Sequence, residues 1–225
     1  MFIITAIFLE MMAIIDNVRE KDVPSALPLM QTNEHSICKM SEQNIIRGYA
    51  QINVAIDYCI EQNLLMPALI LIYSAIDSIS WAASENRSVR IRFLTWVNKW
   101  MLKKYPLPCT AIELYAARCG IIHTLTPNSD LSENEGVRRI SYAWSTAKQK
   151  DLEEAINLLK YPGIVGVHIN DLSFSFRNGL YDFIDALEKD KKRRELFTQK
   201  AGKHFANLEP SIMSEFLVST KKDGG

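Results

Sequence analysis

The run YAARCGIIHT, Tyr115 to Thr124, sets Arg118 and His123 five positions apart in a stretch that is otherwise small and apolar. The pair suits cleavage of RNA without a metal. In that reaction the ribose 2′-hydroxyl attacks its own phosphate, so a group that titrates near neutral pH must move a proton, and an imidazole does so. Negative charge grows on the phosphoryl oxygens, and a permanently charged, fork-shaped guanidinium stabilises it.

Spacing constrains how the two could meet. In an ideal helix five positions amount to a rotation of about 140°, so Arg118 and His123 do not share a face. Convergence is expected only if the helix ends or distorts between them, at Gly120, or if a second subunit completes the site. LTP follows, and Pro127 bars continuation, so His123 is expected in the last turn beside a loop. Plainer roles exist for both. Arg118 could pair with Glu113 or Asp77 inside a bundle, and His123 could bond a carbonyl at the end of its own helix.

The elements that would position them are mostly helices. Residues 42–62 carry Ile45, Ile46, Tyr49, Ile52, Ile56, Tyr58 and Ile60 at a largely helical period, with Ser41 as N-cap. Residues 66–84 are apolar nearly all round, which predicts the central helix of a bundle, with Pro67 in its first turn and Asp77 its one charge. A third helix presents Val89, Phe93, Trp96, Val97 and Trp100 and closes at Pro106 and Pro108; Trp96 and Trp100 read as packing residues. Thr110 can cap a fourth, 111–122. TPNSDLSENEG reads as a loop, residues 138–144 and 163–170 as two strands around a helix, and 173–189 and 194–208 as further helices. The fold expected is mainly α, a helical bundle with a small two-stranded β element. Residues 1–41 read as an apolar N-terminal segment and linker, 42–208 as the domain, and 209–225 as a tail.

An Arg-x4-His motif on a late helix of a small bundle resembles the HEPN superfamily of ribonucleases. Asp77 resembles the polar residue that HEPN domains place near the motif. The stretch ELYAARCGIIHTLTPNSDLS…RRISYAW is similar to a prokaryotic plasmid- and chromosome-encoded branch of the family. The resemblance covers roughly residues 42–205 and centres on 113–144. It implies a HEPN-like bundle and a metal-independent endoribonuclease in which His123 is the acid/base, Arg118 holds the phosphate and Asp77 orients them. Tyr115, one turn from Arg118, could touch substrate or serve the core, and Cys119 is a second candidate substrate contact. The resemblance also implies a homodimer that joins two motifs in one cleft, RNA as partner, an antitoxin or defence-system partner, and no cofactor or metal. This chain departs from the pattern at Cys119, where the family has a polar residue after the arginine. A non-catalytic, dimeric HEPN-type protein that binds RNA or a nucleotide, or serves as an interaction scaffold, is the rival.

Composition is that of a folded protein: 48% hydrophobic and 23% charged over 225 residues, with a formal net charge of zero. No global field draws it to nucleic acid or to an acidic membrane, so any phosphate site must be a local cluster. Arg87, Arg90 and Arg92, at the start of the third helix, are cations that RNA phosphates could use. The cysteines, Cys38, Cys59, Cys109 and Cys119, have no zinc-ligand spacing and are expected to be reduced thiols of a cytoplasmic protein. His35 and His168 have no evident partner, and His204, near Lys200 and Lys203, reads as a surface residue. MFIITAIFLEMMAII is apolar, but it falls short of the roughly 20 residues of a spanning helix and lacks a basic start. A docking segment is expected, not an anchor, with Met30 and Met40 as alternative starts.

Overall fold

A computed structural model describes residues 34–126, 128–160 and 163–201. The expectations for residues 1–33, Pro127, His204 and the 209–225 tail lie outside them. The described chain is mainly helical with one small sheet. Its order is α1 (Glu34–Glu61), α2 (Leu65–Ala82), α3 (Val89–Trp96), a π-helical turn (Val97–Leu102), α4 (Ala111–Thr124), α5 (Asp130–Asn134), β1 (Arg139–Ala143), α6 (Gln149–Leu158), β2 (Ile164–His168), α7 (Ile169–Lys189) and α8 (Lys191–Ala201).

The most apolar stretch is the centre. Ala68, Leu69, Ile72, Tyr73, Ala75, Ile76, Ile79 and Ala82 are buried, spread around more than one face of α2. Consequently α2 packs against α1, α3, α4, α7 and α8. By length and hydropathy it could cross a bilayer, and it is the one helix among the described residues that could. Here its apolar residues are taken up by the other helices. Each fully buried side chain of that size contributes about 1.5–3 kcal/mol.

An aromatic seam joins α3, α7 and α8. Phe183 meets Trp100 edge-on at 5.5 Å and Phe197 at 5.7 Å, and Trp96 lies 6.3 Å from Phe176. Trp96 and Trp100 are thus packing residues, as their spacing suggested. Helix α3 widens into the π turn where α7 crosses it: a Cβ on Gly179 would lie 2.8 Å from the Trp100 carbonyl oxygen, so only glycine admits that approach.

The two strands are parallel, Arg139 opposite Ile164 through Ala143 opposite His168, and α6 is the crossover, with Leu152 and Ile156 against Gly166. Tyr142 of β1 shares a 2.5 Å hydrogen bond with Tyr73 of α2, which ties the sheet to the bundle centre. His168 ends β2 and caps α7, its Nδ1 accepting from the Asn170 amide at 3.2 Å.

Some expectations fail locally. Helix α1 begins at Glu34, so 34–41 is helix, not linker, and Ser41 lies inside it instead of capping it. Tyr58 is 60% exposed, because two positions from Ile56 it has turned to the other side of α1. The expected loop contains α5, whose Ser129 and Ser132 side chains form a reciprocal cap. Helix α7 starts at Ile169, directly from the strand.

Candidate active site on the last turns of helix α4

Helix α4 is fixed at both ends by its own sequence. At its start the Thr110 hydroxyl accepts from the Glu113 amide, while the Glu113 carboxylate accepts from the Thr110 amide at 2.7 Å, a complete capping box. Glu113, almost fully buried, also receives two hydrogen bonds from Arg138 at the entry to β1. Burial pushes its carboxyl up, but Arg138 and the Thr110 amide outweigh that and hold it below its ordinary value. Glu113 is therefore committed to the helix start and does not pair with Arg118.

The other end closes on a left-handed Leu125 at φ 55°. The Leu125 amide donates to the Ile121 carbonyl, the bond of an αL cap, and the Thr126 amide donates to the Gly120 carbonyl. The following loop then folds back on Gly120. A Cβ there would stand 2.5 Å from the Thr126 carbonyl oxygen and 2.6 Å from that of Asn128. Gly120 is needed for this approach, and it does not break the helix. Gly120→Ala is expected to lower stability by about 1–3 kcal/mol in urea unfolding and to shift the His123 ring resonances, since the last turn must move; an unaltered midpoint would refute the tight fit.

Between these ends α4 is continuous, so no end or distortion of the helix at Gly120 brings Arg118 and His123 together. The two nevertheless converge within one chain, with Arg118 Nη1 3.0 Å from His123 Nε2. The reason is side-chain length: five residues advance about 7.5 Å along the axis, and the arginine is long enough to reach round the helix to the imidazole. A guanidinium only donates, so Nε2 accepts, and the proton of the neutral ring sits on Nδ1. His123 is exposed in the last turn, as its spacing implied.

Asp77 comes from α2, at the depth where α2 packs against α4. Its Oδ2 accepts from Arg118 Nη2. Their side chains are 22% and 13% exposed, so this is a largely buried ion pair. Burial depresses the Arg118 pKa, but the hydrogen bond and charge of Asp77 outweigh it and raise it. Arg118 therefore stays cationic, one nitrogen on a carboxylate and the other on an imidazole. Arg118 Nε and Asp77 Oδ1 are buried without hydrogen-bond partners among the described residues.

Cys119 and Tyr115 border this group. The Cys119 Sγ lies 4.0 Å from Arg118 Nη1. Burial and a hydrogen bond with Cys119 push the Tyr115 phenol up, and its ring meets Phe93 of α3 edge-on at 5.4 Å. Both cysteine and tyrosine are half-buried, so each has a core side and a site side. Cys59, Cys109 and Cys119 are free thiols, and burial pushes Cys109 up to about 12. His168 lies at the sheet, in its capping role.

The structure thus brings together Arg118, His123, Asp77, Tyr115 and Cys119. The sequence reading missed Glu113 with Arg138 as the clamp on α4, although the TAIE pattern of a capping box was legible. It also missed the pair formed by Arg90 of α3 and Glu135 after α5. Compared with protein-family models, curated proteins and solved structures, the chain matches none.

Proposed function

We propose that the protein is a metal-independent endoribonuclease of HEPN type acting in the cytoplasm, with Arg118 and His123 as its catalytic residues and Asp77 as the residue that positions Arg118. One observation carries this reading: an exposed imidazole held 3.0 Å from a guanidinium that is itself anchored by a buried carboxylate. A structural salt bridge alone gives no reason for a solvent-facing histidine on the same nitrogen fork.

In this reading an RNA phosphate docks on the outward edge of Arg118 and competes for Nη1, which frees Nε2. His123 then takes the proton of the 2′-hydroxyl as that oxygen bonds to phosphorus. The bond to the 5′-oxygen breaks, leaving a 2′,3′-cyclic phosphate and, once a proton is supplied, a 5′-hydroxyl. In-line attack puts the entering and leaving oxygens on opposite sides of phosphorus, so one imidazole serves one of them. A second copy of the chain would bring the other, consistent with a homodimer.

The test is cleavage of RNA by the purified protein in excess EDTA beside His123→Ala. Expected is cleavage by the wild type only, with cyclic-phosphate ends. Cleavage that survives in His123→Ala, or that needs added divalent metal, overturns the reading. Silence from both proteins favours the non-catalytic RNA-binding rival.

A further inference from the structure

The site has a second arginine at its edge. Arg90 is on α3, one turn before Phe93, and Phe93 is the residue whose ring meets Tyr115 at 5.4 Å. Tyr115 in turn lies one turn before Arg118 on α4. This series of neighbours runs along the α3–α4 seam from Arg90 to Arg118. The hydrogen bond to Glu135 chiefly, and more weakly the field of Tyr115 and Cys119, raise the pKa of the Arg90 guanidinium. The Arg92 Nη1, two positions on, turns back to the Arg87 carbonyl.

Arg90 is held by Glu135 in a two-pronged pair, Nη2 to Oε2 at 2.9 Å and Nη1 to Oε1 at 3.3 Å. Both side chains are nearly half exposed, at 42% and 47%. A solvent-exposed pair of this kind adds little to stability, so a competing anion can open it. Geometrically, a fork that accepts a carboxylate accepts a phosphate.

We infer that Arg90 is a second phosphate contact for RNA, gripping a phosphate next to the one held by Arg118, and that Glu135 occupies its fork until RNA arrives. This rests on the ribonuclease reading for the identity of the ligand. It adds an affinity-determining cation supplied by α3, outside the Arg-x4-His motif, and a carboxylate that tunes affinity by competition.

Binding of a short single-stranded RNA is measured by fluorescence anisotropy across a salt series, in the His123→Ala background so that the probe is not cut. Arg90→Gln is expected to weaken binding several-fold and to reduce the slope of log affinity against log salt by about 0.7, one phosphate contact on a single strand. Glu135→Gln is expected to tighten binding several-fold. If Arg90 served only to tie α3 to the α5 loop, both variants would break the same pair and act alike; opposite signs exclude that role. Equal effects, or an unchanged slope in Arg90→Gln, overturn the inference while RNA binding itself stands. No RNA binding by the His123→Ala parent overturns both the inference and the ribonuclease reading, and cleavage that persists in His123→Ala overturns that reading alone.

Discussion

Replacing Arg118 with lysine is expected to lower kcat for RNA cleavage about 100- to 1,000-fold, nearly as much as Arg118→Ala, with the helical circular dichroism retained. The charge is kept in this variant; what is lost is the fork. Arg118 donates from Nη2 to Asp77 and from Nη1 to His123, and Nη1 also faces Cys119. An ammonium is a single point on a flexible stem. Drawn to Asp77 by the largely buried carboxylate, it leaves the imidazole without its neighbour and the phosphate without a planar donor edge. Removing one preorganised donor to a developing oxyanion costs about 10²–10³ in kcat. KM should move much less, because the contact strengthens as charge grows in the transition state. Activity of Arg118→Lys within about threefold of wild type would mean that a point charge suffices and that the bidentate geometry is incidental.

The helical fold was legible wherever one face is apolar. Leu180, Phe183, Ile184 and Leu187 recur at helical spacing and are all buried on α7, and the nearly continuous apolar run of α2 is central because no other place in a bundle covers all of its faces. Other features depend on contacts between distant residues and left no local trace. The π turn reflects the approach of Gly179 to the Trp100 carbonyl, a relation across the sequence that no spacing rule encodes. Residues 34–41, EHSICKMS, have little apolar period, and polarity was mistaken for a linker although a helix runs through them. In the site, residue types and the Asp77 link could be read from chemistry, since a lone carboxylate on an inner helix needs a cation. The convergence of Arg118 with His123 could not, because an angular offset describes Cα positions and takes no account of the reach of a long side chain. Gly120 is a weak helix former by propensity, and that says nothing of its role here, which is to admit the Thr126 and Asn128 carbonyls.

The second large effect is expected at Asp77, where two substitutions separate stability from catalysis. Asp77→Ala leaves the Arg118 guanidinium, only 13% exposed, without its counter-charge. Breaking a buried pair by removing one partner costs about 3–5 kcal/mol; with both groups partly wetted, a loss of about 2 kcal/mol is expected in urea unfolding. Asp77→Asn also loses the counter-charge but keeps an oxygen that accepts from Nη2, so it is expected to lose less stability than Asp77→Ala and to stay folded. It removes the charge that holds the guanidinium at one depth between α2 and α4, so the fork can drift from its place beside His123. A displacement on the order of 1 Å costs about 100-fold in rate. Meanwhile the site has lost a negative charge, so RNA should bind Asp77→Asn at least as tightly as wild type. Lower kcat with undiminished affinity in a folded protein is the signature of a positioning residue, because a residue that only fixed helix register would change neither once the protein had folded. Full kcat in Asp77→Asn would reduce Asp77 to that structural role, and the catalytic unit would then be Arg118 and His123 alone.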